Sequence, residues 1–375
     1  MKRKTGPFLT LLLLLSGIPA CIGEGEATPR TGSVGSLGGD ERTGHYEVVE
    51  NWFQDAPNHD QDWTWGRVAG VAVDHPDRII VSTWGDFPRD PGAEPGLRPG
   101  NFLVVLDGEG RVIETWDQWD SLLRQPHQIY FNPYDPERHL WVVDNRRNQV
   151  LVFTNDGTEL VMEVGTANVP TTPEEALANP GEYLLGSPAD IAFLPDGSFY
   201  VADGYWNSRI VKYDSNGEFL LEWGTPGEGP GQFNLVHSVA VDADRRVYVA
   251  DRRNSRIQIF TEDGEFLEEW ADLLDPVDIF IAEDQSVWVL DATLHRITKY
   301  SRSGEVQYYW GSYGQAGAIG RGRWAGGLSL PHQADVDSEG NLYVASWSGG
   351  WVDKFVPRVG ADPAKLMGRP LILAD

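Results

Sequence analysis

The chain has 375 residues, 56 acidic against 30 basic side chains, and a formal net charge of −26. That acidity excludes a sequence-independent nucleic-acid binder, which needs a Lys/Arg footprint, and 41% hydrophobic with 11% aromatic residues excludes wholesale disorder. With 42 Gly, 24 Pro and 15 Trp beside three Met, the composition points to many short strands and turns, not to a helical bundle.

In chain order, the first residues read as an address. Lys2, Arg3 and Lys4 form a basic head, an apolar run follows from Phe8 to Leu15, and Gly17-Ile18-Pro19-Ala20-Cys21 closes the segment. Such a pattern describes a secretory signal over residues 1–20, and its core is shorter than the roughly 20 residues a membrane-spanning helix takes. Ile18-Pro19-Ala20-Cys21 resembles the lipobox of bacterial lipoproteins, which implies that Cys21 is acylated and becomes the mature N-terminus. A plain signal peptide followed by an incidental cysteine is the alternative. Cys21 is the single cysteine of the chain, so a disulfide within one monomer is impossible. Gly23 to Thr43 has no apolar period and reads as a flexible tether. Residues 21–66 together read as lipidated cysteine, tether and lead-in. The expectation is an exported protein, lipid-anchored to the bacterial cell envelope, that meets the membrane only through its N-terminal lipid.

From about Arg67 the chain repeats itself. One unit recurs: an alternating apolar run, a turn such as Pro195-Asp196-Gly197, a strand ending in Asp, a polar turn, another strand, and a closing Trp-Gly. Strand ends at Asp144, Asp203, Asp251 and Asp291 mark the second to fifth copies. The sixth carries Ser346 instead, and the first, around Val71-Ala72-Val73-Asp74 and Ile79-Ile80-Val81-Ser82, is the most degenerate. Each unit holds about four short period-2 strands, the makings of one antiparallel blade. Blades bury both faces by stacking radially. Residues 67–375 are therefore expected to form an all-β, six-bladed β-propeller. The pattern Asp251-x-x-Asn254-x-Arg256-Ile257 and its counterparts resemble the NHL repeat.

The residues that open each innermost strand carry the functional signal. In blade order they are Val68-Ala69-Gly70-Val71, Pro126-His127-Gln128-Ile129, Pro188-Ala189-Asp190-Ile191, Val236-His237-Ser238-Val239, Pro276-Val277-Asp278-Ile279 and Pro331-His332-Gln333-Ala334. The second position is His in blades two, four and six, and Ala or Val in the others. Equivalent positions of a closed propeller lie on one ring, so alternate members form a triangle around the axis. Three converging imidazoles with a fourth position open suit a catalytic Zn²⁺, with nitrogens at roughly 2.0–2.1 Å. His45, His59, His75, His139 and His295 show no such register and are expected on the surface or in turns.

A closer resemblance rests on Asp203-Gly204-Tyr205, Trp223-Gly224, the run Pro230 to His237, and Ala250-Asp251-Arg252. Together these look like peptidyl-α-hydroxyglycine α-amidating lyase, a six-bladed propeller that cleaves a carbinolamide C–N bond to a peptide amide and glyoxylate. The resemblance implies zinc on His127, His237 and His332, Tyr205 as base on the substrate hydroxyl, and Arg252 holding and polarising a peptide or small amide substrate. A phenol near a dication and a guanidinium has its ionised form favoured, which agrees with that role. Arg209 and Arg256 recur as turn elements and are left outside the site.

The chain departs from the family at three points. Trp84 falls where the family has a second active-site arginine, with Arg89 nearby as a substitute charge. Gln333 follows the last histidine where the family has a calcium-binding aspartate, which argues against calcium. The family's disulfides have no counterpart. A non-catalytic cell-surface propeller that binds a protein or glycan is the alternative reading. A calcium-dependent hydrolase would need carboxylate and amide ligands where the ring offers imidazoles. Residues 311–327 read as a long loop on the mouth of the channel. With no hydroxylating domain upstream in this sequence, the α-hydroxylated substrate is expected to come from another protein.

Overall fold

Leu140, Trp141, Val142 and Val143 follow one another in a single strand, and they pack alternately against two different neighbours. Leu140 and Val142 join Ile80 and Leu103 of the preceding blade, whereas Trp141 and Val143 join Ile191 and Val201 of the following one. Successive side chains of a strand point to opposite faces, so a run that is apolar at every position is buried on both sides. The same arithmetic holds around the molecule. The buried apolar side chains divide into six clusters, one at each junction between adjacent blades.

A computed structural model describes residues 42–59, 62–88, 100–167, 185–271, 273–313 and 325–374. The signal segment 1–20, Cys21 and the stretch up to residue 41 lie outside the described residues. Six four-stranded antiparallel sheets form the blades. The first comprises Val68–His75, Arg78–Thr83, Leu103–Leu106 and Val112–Thr115. The second comprises Pro126–Phe131, Leu140–Asp144, Gln149–Phe153 and Leu160–Val164, and the third Asp190–Phe193, Phe199–Asp203, Arg209–Tyr213 and Phe219–Trp223. The fourth runs from Val236–Val241 to Phe266–Trp270 and the fifth from Pro276–Ile281 to Val306–Trp310. The recurring strand-end aspartates hold the segment that leads into their own blade: Asp144 accepts from the Arg124 and Gln125 amides, Asp203 from Gly186 and Asp251 from Asn234. In the sixth blade Ser346 makes the corresponding contact, a long 3.4 Å bond from the Ser329 amide.

The sixth blade corrects the expected start of the propeller at residue 67. Its strands Pro331–Val336, Leu342–Ser346 and Trp351–Pro357 are completed on the outside by the N-terminal Tyr46–Val48, with Tyr46 opposite Pro357 and Val48 opposite Phe355. The ring is thus closed by non-covalent pairing of the two ends of the folded body. Tyr46 is fully buried against Trp310 and Phe355, and its hydroxyl accepts the Met367 amide at 2.8 Å. Trp52, Ala56 and Trp65 are likewise core residues at the junction of blades six and one. The described part of the lead-in, residues 42–59 and 62–66, is thus part of the folded body.

At the opposite end of the channel from the histidines, the C-terminal segment crosses the opening. The Leu371 amide donates to Ile281, the Leu373 amide to the Tyr134 hydroxyl, and Arg245 to the Ala374 carbonyl. Beneath it lies a cavity of about 540 Å³ walled mainly by Ile191, Val239, Ile279 and Val336.

Candidate metal centre

In five blades the pairing between the first two strands slips at the start of the inner strand, between Val68 and Gly70, Pro126 and Ile129, Val236 and Ser238, Pro276 and Asp278, and Pro331 and Gln333. A bulge takes a residue out of the ladder and re-aims its side chain. His127, His237 and His332 occupy three of those slips and turn into the channel. Their ring centroids are 5.0, 4.5 and 5.0 Å apart, and one ligand nitrogen from each lies within 4.8 Å of the others. All three are buried.

The residues between the histidines do more than leave room. His127 Nδ1 meets the Ala189 carbonyl, His237 Nδ1 the Val277 carbonyl and His332 Nδ1 the Ala69 carbonyl, each at 2.7 Å. A carbonyl only accepts, so each Nδ1 carries the proton and each Nε2 keeps its lone pair for the axis. Each histidine is therefore oriented by the backbone of the next blade, the outer support that metal-binding imidazoles require. Burial pushes all three imidazoles down, His127 to about 3 and the other two well below the ordinary range, with the charge of Arg252 adding to the effect in all three and the neighbouring rings in His237 and His332. Neutral imidazoles with converging lone pairs can hold a metal ion. A set of three nitrogens with no fourth protein ligand fits a borderline dication with one position left for substrate.

Tyr205 borders that position. Its hydroxyl is 3.0 Å from Nε2 of His127 and 3.0 Å from Nε2 of His237. Gly204 brings it there: a Cβ at this residue would lie 1.6 Å from the Val236 carbonyl oxygen, so only glycine lets the third blade pass so close to the fourth. Burial, the largest influence, holds the Tyr205 phenol above its ordinary value and the charge of Asp275 adds to it, although the charge of Arg252 and a hydrogen bond from it pull the other way. Arg252 begins a short 3₁₀ turn, Arg252–Asn254, and its guanidinium is gripped by Asp275 at 2.5 and 3.2 Å.

The NHL repeat model matches residues 185–213 and 233–260, which take in the first three strands of the third and fourth blades. Human NHL repeat-containing protein 3 is 31% identical over 83% of this chain and 84% of its own length. This chain belongs to the NHL-repeat family. Peptidyl-glycine alpha-amidating monooxygenase B of Xenopus laevis is 30% identical over 54% of the chain, which spans only 24% of that protein's length. The probable peptidyl-alpha-hydroxyglycine alpha-amidating lyase of Caenorhabditis elegans is 27% identical over 52% of this chain and 56% of its own. Among solved structures, a streptogramin B lyase superposes with a TM-score of 0.53 at 13% identity, covering 84% of this chain and 98% of that one, a likeness of fold alone.

Within this NHL-repeat propeller, a second ring lies directly beyond the histidines. Its members are Gly70, Gln128, Asp190, Ser238, Asp278 and Gln333, the third residue of each inner-strand start. Asp190 accepts from Tyr130 and Ser238, Gln128 donates across the channel to Asp278, and Asp278 accepts from the Ala334 amide. Gln333 answers the calcium question. Its Oε1 accepts from the Val71 and Ile129 amides and its Nε2 donates to the Ile129 carbonyl. The amide thus engages a carbonyl that a cation would need, and it supplies no carboxylate, so these residues do not fit calcium. A Cβ on Gly70 would lie 2.7 Å from Gln333 Oε1, the His127 carbonyl oxygen and the Ser82 hydroxyl alike, which explains the glycine.

Trp84 reaches the mouth, donating from Nε1 to the Pro126 carbonyl beside His127, while Arg89 lies outside the described residues. Of the loop 311–327, residues 314–324 lie outside them too, and its base is pinned by a bridge between Tyr313 and Leu328. Arg209 and Arg256 pair with Asp203 and Asp251 in their own blades. His59 closes a turn from Ala56, and its ring is buried there, packed on Trp65 and bonded to Asp86 at 2.9 Å. Asp275, the partner of Arg252, was not singled out in the sequence; the signal was its place directly before the Pro276-Val277-Asp278 start of blade five.

Proposed function

We propose that the protein is a zinc-dependent lyase that cleaves the N–C(OH) bond of α-hydroxyglycine-type peptides or small amides, releasing an amide and glyoxylate. The observation that carries the reading is Tyr205, whose hydroxyl lies within 3.0 Å of two of the three inward nitrogens. A base so placed reaches a hydroxyl that occupies the open position of the ring. The kinship to amidating lyases over about half the chain supports the same chemistry.

His127, His237 and His332 would hold the zinc, which when bound supplies a Lewis acid that makes the substrate hydroxyl more acidic. Tyr205, as phenolate, accepts the hydroxyl proton. The oxygen's electron pair forms the aldehyde carbonyl as the C–N bond breaks, and the bonding pair leaves with the amide nitrogen. Tyr205 returns its proton to that nitrogen, so atoms and electrons balance without oxidant or water. Arg252, braced by Asp275, donates to the amide oxygen, where negative charge grows as the bond breaks. The same proposal has the protein exported and held at the cell envelope through an acylated Cys21, which the leader from Lys2 to Cys21 supports.

The competing reading, a propeller that binds a protein or glycan without turning it over, is favoured by the longer alignment with NHL repeat-containing protein 3, whose name records no reaction. Glyoxylate release from N-benzoyl-α-hydroxyglycine separates the two. The zinc-loaded protein should release glyoxylate above the spontaneous rate, and metal removal should abolish that excess. No excess release from fully loaded protein would leave the binding propeller.

A further inference from the structure

Arg67 carries a charge that no carboxylate answers among the described residues. Its guanidinium carbon lies 3.6 Å from the ring centre of Trp347 and 5.6 Å from that of Trp84, and the two indoles meet edge to face at 5.3 Å. Three arginines of the third and fourth blades differ. Arg252 has Asp275, Arg209 has Asp203 and Glu222, and Arg256 has Asp251 and Glu269, in a chain whose net charge is −26. Among the described residues, the lack of a carboxylate partner is not a scarcity of acids. Stacking on indoles fixes the guanidinium plane while leaving its N–H edge for a planar anion.

The strand register locates this edge. Arg67 accepts the Trp84 amide through its carbonyl and stands two residues before Ala69, whose carbonyl holds His332. Trp84 spans to the Pro126 carbonyl, next to His127. In the fourth blade, Leu235 accepts the Arg252 amide in the same way. Arg67 therefore lies one step outside the histidine ring on the first blade, with Tyr205 and Arg252 on the third and fourth blades across the channel.

We propose that Arg67, held by Trp347 and Trp84, is the residue that binds a carboxylate at the channel mouth. This deepens the lyase reading and rests on it for the identity of the ligand: an α-hydroxyglycine unit carries its carboxylate on the carbon that bears the hydroxyl. With that hydroxyl at Tyr205, the carboxylate turns to the first blade and the amide carbonyl to Arg252. Substrates that end in a free carboxylate are selected over neutral amides, and glyoxylate departs from the same guanidinium.

The test uses hippurate, which keeps the carboxylate but lacks the α-hydroxyl and is not turned over, against neutral hippuramide. Calorimetric titration of the whole zinc-loaded protein should show hippurate binding at least about tenfold tighter, as expected of a bidentate arginine–carboxylate pair. Arg67→Gln should abolish that preference with the melting temperature unchanged, and Arg67→Lys, which keeps the charge but not the stacked plane, should retain only part. Equal binding of the two compounds by the wild type, no measurable hippurate binding, or a preference that survives in Arg67→Gln overturns the proposal. Failure of the lyase reading is distinguishable. If hippurate is preferred through Arg67 but N-benzoyl-α-hydroxyglycine yields no glyoxylate, the anion site stands and the activity falls.

Discussion

Tyr205 and His237 meet at 3.0 Å, phenol oxygen to imidazole Nε2, although they belong to different blades. The contact depends on Gly204, which lets the third blade press against the Val236 carbonyl one residue before the histidine. Removing only the hydroxyl tests what the contact is for. Tyr205→Phe should retain stoichiometric metal yet lose about 10²- to 10⁴-fold in kcat for glyoxylate release, the usual range for a proton-transfer group. A variant that keeps wild-type turnover would remove Tyr205 from the chemistry.

The Gln333 clasp joins blades six, one and two through its own side-chain amide. Its side chain satisfies two buried amides and one carbonyl, and orphaning such groups costs about 1–3 kcal/mol each. Gln333→Asp, one methylene shorter, should therefore melt below the wild type in calcium-free buffer. Calcium should restore part of the loss, because the new carboxylate beside the Ile129 carbonyl is a hard-cation donor set. The wild type should melt at the same temperature with calcium or with chelator, and a calcium-dependent rise there would contradict the clasp.

The polar ring and the residues just beyond it also make stability depend on pH. Burial lifts Asp190 to about 6 and Asp335 to about 7, and it lifts Asp278, helped by the charges of both, well above the usual carboxylate range. The folded protein holds these protons to higher pH than the unfolded chain does. Their contribution is complete below about pH 4 and is lost as pH rises through about 6 and 7. Asp335→Asn cannot titrate, so the stability of the wild type relative to this variant should fall as pH rises from about 4 to 7, by at most about 1.4 kcal/mol per pH unit. Denaturant titrations across that range decide it. A difference that is flat or grows with pH contradicts the buried-acid account.

Closure of the ring by Tyr46–Val48 predicts that a residue far from any blade repeat is essential to the fold. Tyr46→Ala removes a fully buried ring from between Trp310 and Phe355 and leaves the Met367 amide without its partner. The expected loss is about 3–5 kcal/mol, the range for deleting a core aromatic, read by chemical denaturation. A loss below about 1 kcal/mol would mean that the sixth blade closes without it.

Much of this was legible in the sequence because a propeller repeats its own register. Aligning the inner-strand starts put His127, His237 and His332 on one ring, and the departures at Tyr205 and Arg252 marked residues outside the turn pattern. The same alignment displayed the polar third position from Gln128 to Gln333, but a polar residue at a strand start has no meaning until closure shows that five of them face one channel. Arg67 and Trp347 were out of reach for a related reason: 280 positions separate them, and only the meeting of the first and sixth blades brings them together. Tyr46–Val48 was missed because three residues carry too little alternation to read as a strand, and their partners lie near the other end of the chain.

The central claim is that the histidine ring holds a metal, and metal content tests it most directly. Purified wild-type protein, reconstituted with zinc and freed of excess, should carry one zinc per chain by mass spectrometry, and His237→Ala, folded to the same degree by circular dichroism, should carry none. Zinc that fails to reach stoichiometry in the wild type, or that persists undiminished in His237→Ala, would contradict the account.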